Sequence, residues 1–354
     1  MATQRHTPWR ILATSAAANW EIEEAAIRAT NGEAEFVSTA CDTEEQLIAA
    51  AREADAIYAG NEPYTRRILE QFERVKVISR PAVGFDQIDI AAAAELGIVV
   101  THVPDYCTDE VSDHALALLL ALHRRIPWLN AAIMAGQWAQ GPSYGGDRPA
   151  SFHAGEVPGP ARQLRDQTLG IIGFGRIGRR VAEKARGFGL RLLAHDPYLP
   201  ATVGEGYGVT MTSLDQLLAE ADLVTIHCLL NAETHHLIGA AQLAKMRPTA
   251  MLVNTARGPI VDVVALAAAL RAGTVAAAAL DVTDPEPPAA DSPLLMLPNL
   301  LLTPHSAYYS DRSRAEVRRR GVEHALAVLR GERPTFVANL AVFATLAARS
   351  RRIV

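Results

Sequence analysis

The sequence predicts an α/β fold of two doubly wound parallel sheets, with a cleft between them where ligands bind. Three observations lead there. Short apolar runs alternate with longer helical ones, this strand–helix rhythm occurs twice, and the second occurrence opens on the glycine turn Gly173-Phe-Gly175-Arg-Ile-Gly178. A chain of 354 residues has room for two such domains, and 49% hydrophobic with 21% charged residues is a globular balance.

The first series places strands at 10–13, 36–38, 56–59, 75–79 and 98–101, each a short apolar run. Helices are expected between them at 22–30, 44–51, 67–72 and 90–96. A long apolar helix over 110–126 follows, then the Gly-, Pro- and Ser-rich segment 141–160, which is loop chemistry. The rhythm restarts with strand, turn and helix over 168–187 and continues with strands at 191–195, 223–227, 251–254, 277–281 and 300–303. Helices are expected at 214–220, 240–245, 263–271 and 314–330. The expected division is a substrate domain of residues 1–110 and 306–335, a dinucleotide-binding (Rossmann) domain of residues 111–305, and a tail over 336–354.

Several classes of function are excluded at this level. A net charge of −5 offers no basic face to a phosphate backbone, so no nucleic-acid partner is expected. The longest apolar runs, 115–122, 276–280 and 294–297, fall short of the roughly 18–20 residues a bilayer span needs. Cys41, Cys107 and Cys228 lie far apart without a CxxC pair, which argues against a disulfide framework or zinc ribbon and fits a reducing cytoplasm. His114, His123, His227, His235 and His236 lack metal-ligand spacing, and no metal is expected. Arg5 and Arg10 before the small residues at 16–18 imitate a secretory signal, but Thr14 and Ser15 interrupt the apolar stretch, which reads as the first strand.

The glycine turn is the strongest motif because its context is right. A strand enters at 169–172, and the departing helix carries Ile177, Val181 and Ala185 on one face. Gly173 permits the tight turn, Gly175 admits a pyrophosphate, and Gly178 lets helix and strand pack closely. The helix N-terminus offers free N–H groups to the phosphates. Asp196 stands 18 positions after Gly178, where an acid bonds the ribose hydroxyls and repels a 2′-phosphate, favouring NAD over NADP. Arg257, Glu286 and His305 follow later strands at or just beyond their C-terminal ends, where an open α/β sheet carries its site.

Over about 75–334 the sequence resembles the D-isomer-specific 2-hydroxyacid dehydrogenase family, and within it most the branch containing the C-terminal-binding proteins, NAD-dependent corepressors. The residues carrying the resemblance are the glycine turn, His195-Asp-Pro-Tyr198, His227-Cys-Leu-Leu-Asn231, Val253-Asn-Thr-Ala-Arg-Gly258, Ala279-Leu-Asp-Val282 and Thr303-Pro-His305. The resemblance implies His305 as general acid/base, Glu286 as the partner that fixes its tautomer, and Arg257 as the clamp on a substrate carboxylate. It implies cofactor contacts from Gly173, Gly175, Arg176, Ile177, Gly178, Asp196, Cys228, Thr255, Ala256 and Asp281, the last to the nicotinamide carboxamide. Val83 and Gly84 would bind the carboxylate through backbone N–H groups, in a loop where Pro81 and Ala82 depart from the family's usual residues. Tyr308 would line the substrate pocket, and the helix over 110–126 would form a homodimer. Glu286 argues against formate dehydrogenases, which pair the histidine with glutamine, and Val83 against phosphite dehydrogenases, which have lysine there. The phosphoglycerate enzymes often carry an added C-terminal domain, for which the residues after Pro334 are too few. The expected activity is reversible hydride transfer between NADH and a 2-oxo acid; the alternative the resemblance admits is an NAD(H)-sensing binding protein.

Overall fold

The computed structural model describes residues 7–15, 19–136 and 162–350. The small-residue run at 16–18 and the segment 141–160, with Asp147, Arg148 and His153, lie outside them. The chain divides into two units, Met1–Tyr106 with Ser310–Val354, and Cys107–Tyr309.

The first unit alternates β1 (Trp9–Ala13), α1 (Glu21–Arg28), β2 (Ala34–Ser38), α2 (Glu44–Ala51), β3 (Ala56–Tyr58), α3 (Arg66–Leu69), β4 (Val77–Ser79), α4 (Ile90–Leu96) and β5 (Val99–Thr101). Its strands are all parallel, in the order β2-β1-β3-β4-β5, so the order reverses between β1 and β3. Parallel strands covered on both faces read as continuous apolar runs, and Ile11, Leu12, Ile57, Val77, Ile78 and Val100 are all buried. Helix starts follow local chemistry: a Thr43–Gln46 capping box opens α2, and the Asp89 carboxylate accepts from Ala92 N at the start of α4.

The second unit begins with α5 (Thr108–His123) and α6 (Ile126–Met134). The single helix expected over 110–126 is therefore interrupted: Arg125 takes the left-handed conformation (φ 58°), and Pro127 in the next first turn has no N–H to extend the α5 ladder. Then come β6 (Thr168–Ile172), α7 (Arg176–Ala185), β7 (Arg191–His195), α8 (Thr202–Glu205), β8 (Thr210–Met211), α9 (Leu214–Glu220), β9 (Leu223–Ile226), α10 (Ala240–Leu243), β10 (Met251–Asn254), α11 (Val263–Ala272), β11 (Ala277–Leu280) and β12 (Leu300–Leu302). The order β12-β11-β10-β9-β6-β7-β8 is again wholly parallel and reverses beside β6, as in a Rossmann sheet. Leu217, Ile226, Leu252 and Leu266 fill one side; Leu119 and Leu122 of α5 with Val181 and Ala185 of α7 fill the other.

The chain then returns to the first unit as α12 (Asp311–Leu329) and α13 (Val342–Ser350). α12 lies against β3 and β4, close enough that a Cβ on Gly321 would stand 2.7 Å from the Tyr58 ring, and Ser79 Oγ donates to Gly321 O at 2.6 Å. Residues 337–339 run along the edge of β5: Val337 pairs antiparallel with Thr101, and the Asn339 carboxamide accepts from Val100 N and donates to Ile98 O. The segment after 335 is thus joined to the first unit, and Val342 of α13 is fully buried.

Candidate active site

In the second unit the glycine turn follows β6. Gly173 has φ 88°, and a Cβ there would strike the backbone of Cys228; a Cβ on Gly178 would strike the Gly173 carbonyl. Glycine is therefore required at both positions for helix and strand to meet. Around Gly175, by contrast, an added Cβ would meet nothing within 4 Å, so the backbone there is open to an incoming group. Among the described residues no side chain caps α7 at Gly175, which turns the positive end of the helix dipole toward an anion. Asp196, at the end of β7, accepts from Phe174 N at 3.0 Å and Tyr198 N at 3.1 Å, tying the acid to the turn. Arg179 donates to Phe174 O and lies over the Phe174 and Tyr207 rings, and the Tyr198 hydroxyl bonds Glu233. These features fit a dinucleotide: an uncapped helix end for the pyrophosphate and a fixed carboxylate for the ribose.

Cys228 has its backbone against Gly173, and burial pushes its thiol up to about 11, so it is a packed thiol rather than a thiolate at neutral pH. Burial likewise pushes His227 down to about 3; the ring is neutral and faces Thr225 Oγ1 at 2.9 Å. Among the described residues no cluster of three or more His, Cys, Asp or Glu could hold a metal.

Three loops at the C-terminal ends of β10, β11 and β12 carry the remaining residues. After β10, buried Asn254 accepts from Ala256 N and donates to Arg257 O at 2.8 Å, folding Thr255–Arg257 over itself. Thr255 Oγ1 is buried without a hydrogen-bond partner among the described residues. Gly258 lies so close to the Thr283 carbonyl that a Cβ would overlap it, which seats the arginine loop against the glutamate loop. In that second loop, which contains cis bonds before Pro285 and Pro287, the Glu286 carboxylate faces His305 Nδ1 at 2.5 Å. A carboxylate only accepts, so Nδ1 carries the proton and Nε2 is the nitrogen left for chemistry. The His305 side chain is 41% exposed, within reach of a ligand, and the Tyr308 ring stands edge-on to it at 6.1 Å.

Asp281 explains how His305 is held. Its carboxylate is buried and accepts from Thr303 Oγ1 (2.6 Å), Ser306 N (2.9 Å) and Ala307 N (2.9 Å), while its carbonyl accepts from His305 N. His114 Nε2 of α5 closes the cluster, 3.1 Å from Thr303 Oγ1 and 3.5 Å from Asp281 Oδ1. His305 itself sits at φ 51°, a left-handed conformation that non-glycine residues rarely adopt and that this net maintains. The expected contact of Asp281 with a carboxamide gives no hint of this net. His114, Thr303 and Asn254 were missed as site residues; only Asn254, at a strand end three residues before the arginine, left a sequence signal.

In the first unit the loop Pro81–Gly84 follows β4. Ala82 O accepts from Val103 N and Gly84 O from Arg80 Nε, while the N–H groups of Val83 and Gly84 meet no acceptor among the described residues. Gly84 is buried. Successive backbone N–H groups left without acceptors are the donors that an anion-binding nest uses.

A dinucleotide turn, a histidine–carboxylate pair and an arginine loop thus stand at the C-terminal ends of the strands of one sheet, where they fit a dinucleotide beside an acid/base pair. The model for the NAD-binding domain of the D-isomer specific 2-hydroxyacid dehydrogenases matches residues 116–307, and the chain belongs to that family. It is 38% identical over 300 residues to a D-3-phosphoglycerate dehydrogenase of Methanocaldococcus jannaschii, covering 84% of this chain and 54% of that one. It therefore spans about half the length of that relative. It is 39% identical to a glyoxylate reductase of Aeropyrum pernix, covering 83% of this chain and 86% of the relative. Among solved structures, D-lactate dehydrogenase of Aquifex aeolicus with NAD and lactic acid superposes with a TM-score of 0.80 at 28% identity, covering 93% of this chain and 99% of that one.

Proposed function

We propose that the chain catalyses reversible reduction of a 2-oxo acid to a D-2-hydroxy acid. The His305–Glu286 contact at 2.5 Å carries this reading, because it leaves Nε2 to exchange a proton with the substrate oxygen. Bound NADH supplies the hydride. His305 Nε2 protonates the carbonyl oxygen as hydride arrives and takes the proton back in the other direction. Glu286 stabilises the imidazolium form. Arg257 holds the substrate carboxylate with its planar fork and Tyr308 forms one wall around the side chain; in the first unit, the Val83 and Gly84 N–H groups are carboxylate donors. That wall is aromatic with one hydroxyl, which suits an aliphatic or thioether side chain.

The test is NADH oxidation against a panel of 2-oxo acids. Turnover is expected, with 4-methylthio-2-oxobutyrate or 2-oxoisocaproate faster than oxaloacetate. His305→Gln is expected to lose at least ~100-fold in kcat, the contribution of a general acid/base. A variant as active as wild type overturns the assignment, and a chain that only senses NAD(H) would bind NADH without turnover. The chain is further proposed to work as a cytoplasmic homodimer assembled through α5 and α6, where Ile126, Ile133 and Met134 are exposed; sedimentation velocity checks the dimer.

A further inference from the structure

The carboxylate-binding role of Val83 and Gly84 depends on where two N–H groups point, and the structure shows what aims them. Three successive carbonyls of the loop are captured by the chain: Ala82 O by Val103 N at 2.9 Å, Val83 O by His102 Nδ1 at 2.9 Å, and Gly84 O by Arg80 Nε at 3.4 Å. In a trans peptide the C=O and N–H point in opposite directions. Holding Ala82 O therefore turns Val83 N–H away from residue 103, and holding Val83 O turns Gly84 N–H away from residue 102. The first restraint comes from a backbone N–H that almost any residue supplies. The second comes from a side chain, so it depends on what stands at 102.

A carbonyl oxygen only accepts, so His102 Nδ1 is the protonated nitrogen. The ring is held by aromatic neighbours, edge-on to Phe85 at 5.0 Å and to Phe336 at 6.3 Å. Phe336 comes from the segment that returns after α12, so the ring is braced by both stretches of the first unit.

We propose that His102 is a positioning residue for substrate: its Nδ1–H fixes the Val83–Gly84 peptide so that Gly84 N–H meets the carboxylate of a 2-oxo acid. The inference rests on the reading of this loop as carboxylate-binding. His102 does not touch the reacting atoms, so its effect falls on substrate affinity and not on the chemical step.

The experiment is steady-state kinetics at saturating NADH on glyoxylate, pyruvate, 2-oxoisocaproate and 4-methylthio-2-oxobutyrate, with the best substrate carried through the variants. His102→Phe keeps a ring against Phe85 and Phe336 and removes the donor; His102→Asn places an amide nitrogen where Nδ1 stands. His102→Phe is expected to raise KM about tenfold, as for loss of order in one charge-assisted hydrogen bond, with kcat within about twofold and NADH affinity unchanged. His102→Asn is expected to bring KM back to within about threefold of wild type. An unchanged KM in His102→Phe, or His102→Asn impaired as much as His102→Phe, overturns the proposal. If His102→Phe does not fold, His102→Leu takes its place in the same comparison. Wild type that reduces none of the four acids overturns the reading of the loop and this inference with it; a wild type that turns over while KM ignores residue 102 overturns this inference alone.

Discussion

The site separates residues that would meet ligands from residues that hold them, and Asp281 belongs by geometry to the second kind. Its two oxygens serve a hydroxyl and two backbone N–H groups of the loop that bears His305. A carboxamide there has one oxygen and two donors, so Asp281→Asn turns an NH2 toward a backbone N–H. That leaves a buried group unpaired at a cost of about 1–3 kcal/mol. Asp281→Asn is expected to lower kcat by roughly tenfold or more while NADH affinity changes little, because the loop and not the cofactor loses its support. Fluorescence titration with NADH beside steady-state rates separates the two; a loss confined to NADH affinity would point to the carboxamide contact instead. At the other end of the dinucleotide motif, Asp196→Ala is expected to weaken NAD binding and narrow the gap between NAD and NADP, since the carboxylate that repels a 2′-phosphate is removed. Titration with both cofactors checks this, and equal loss with both would show that Asp196 does not read the ribose.

Among the elements, the join between α1 and α12 rests on one buried carboxylate. Glu23 of α1 is fully buried and receives Arg318 of α12 in two contacts, Nε at 2.7 Å and an η nitrogen at 2.5 Å, together with the Tyr58 hydroxyl at 2.9 Å. Glu23→Ala strands a guanidinium and a phenol in a low-dielectric environment, and breaking such a pair costs about 3–5 kcal/mol. The urea midpoint is expected to fall accordingly in Glu23→Ala, and less in Glu23→Gln, which keeps one acceptor oxygen in place. How far the sequence discloses such elements depends on the range of the interactions involved. The strands were legible because Ile, Val and Leu runs end at loop residues, and the glycine turn because its spacing is local. The break after α5 was hidden because Ile126 follows the apolar run 115–122 at helical spacing and the φ of Arg125 leaves no mark on composition. β8 is two residues long, too short for any period, and α13 read only as an apolar tail. Asp281 meets His114 across 167 positions, so that arrangement has no local pattern to read.

For the molecule as a whole, buried histidines make the stability of the fold depend on acid. Burial pushes the His227 ring down to about 3 and the His324 ring to about 4, and it lowers His123 as well. These rings are neutral when folded and gain protons more readily once unfolded, where histidine titrates near 6.5. The unfolded chain therefore binds more protons between pH 6.5 and about 4, and stability falls as pH drops through that window. Above about 6.5 their stabilising contribution is complete. Each such histidine adds a slope of about 1.4 kcal/mol per pH unit well inside its window. The thermal midpoint is expected to fall from pH 6.5 to pH 4.5, and His324→Asn to flatten the curve relative to wild type.

The division of the first unit into Met1–Tyr106 and Ser310–Val354 also imposes an order of assembly. A ribosome releases the N-terminal strands first, yet the helix that covers β3 and β4 and the segment that borders β5 are made more than two hundred residues later. Until then an apolar face around Tyr58 and the edge of β5 have no cover, while Cys107–Tyr309 is one uninterrupted stretch with all its own strands. The unit that is born first is thus the one that finishes last, and during synthesis it is the part that exposes apolar surface and an open strand edge longest.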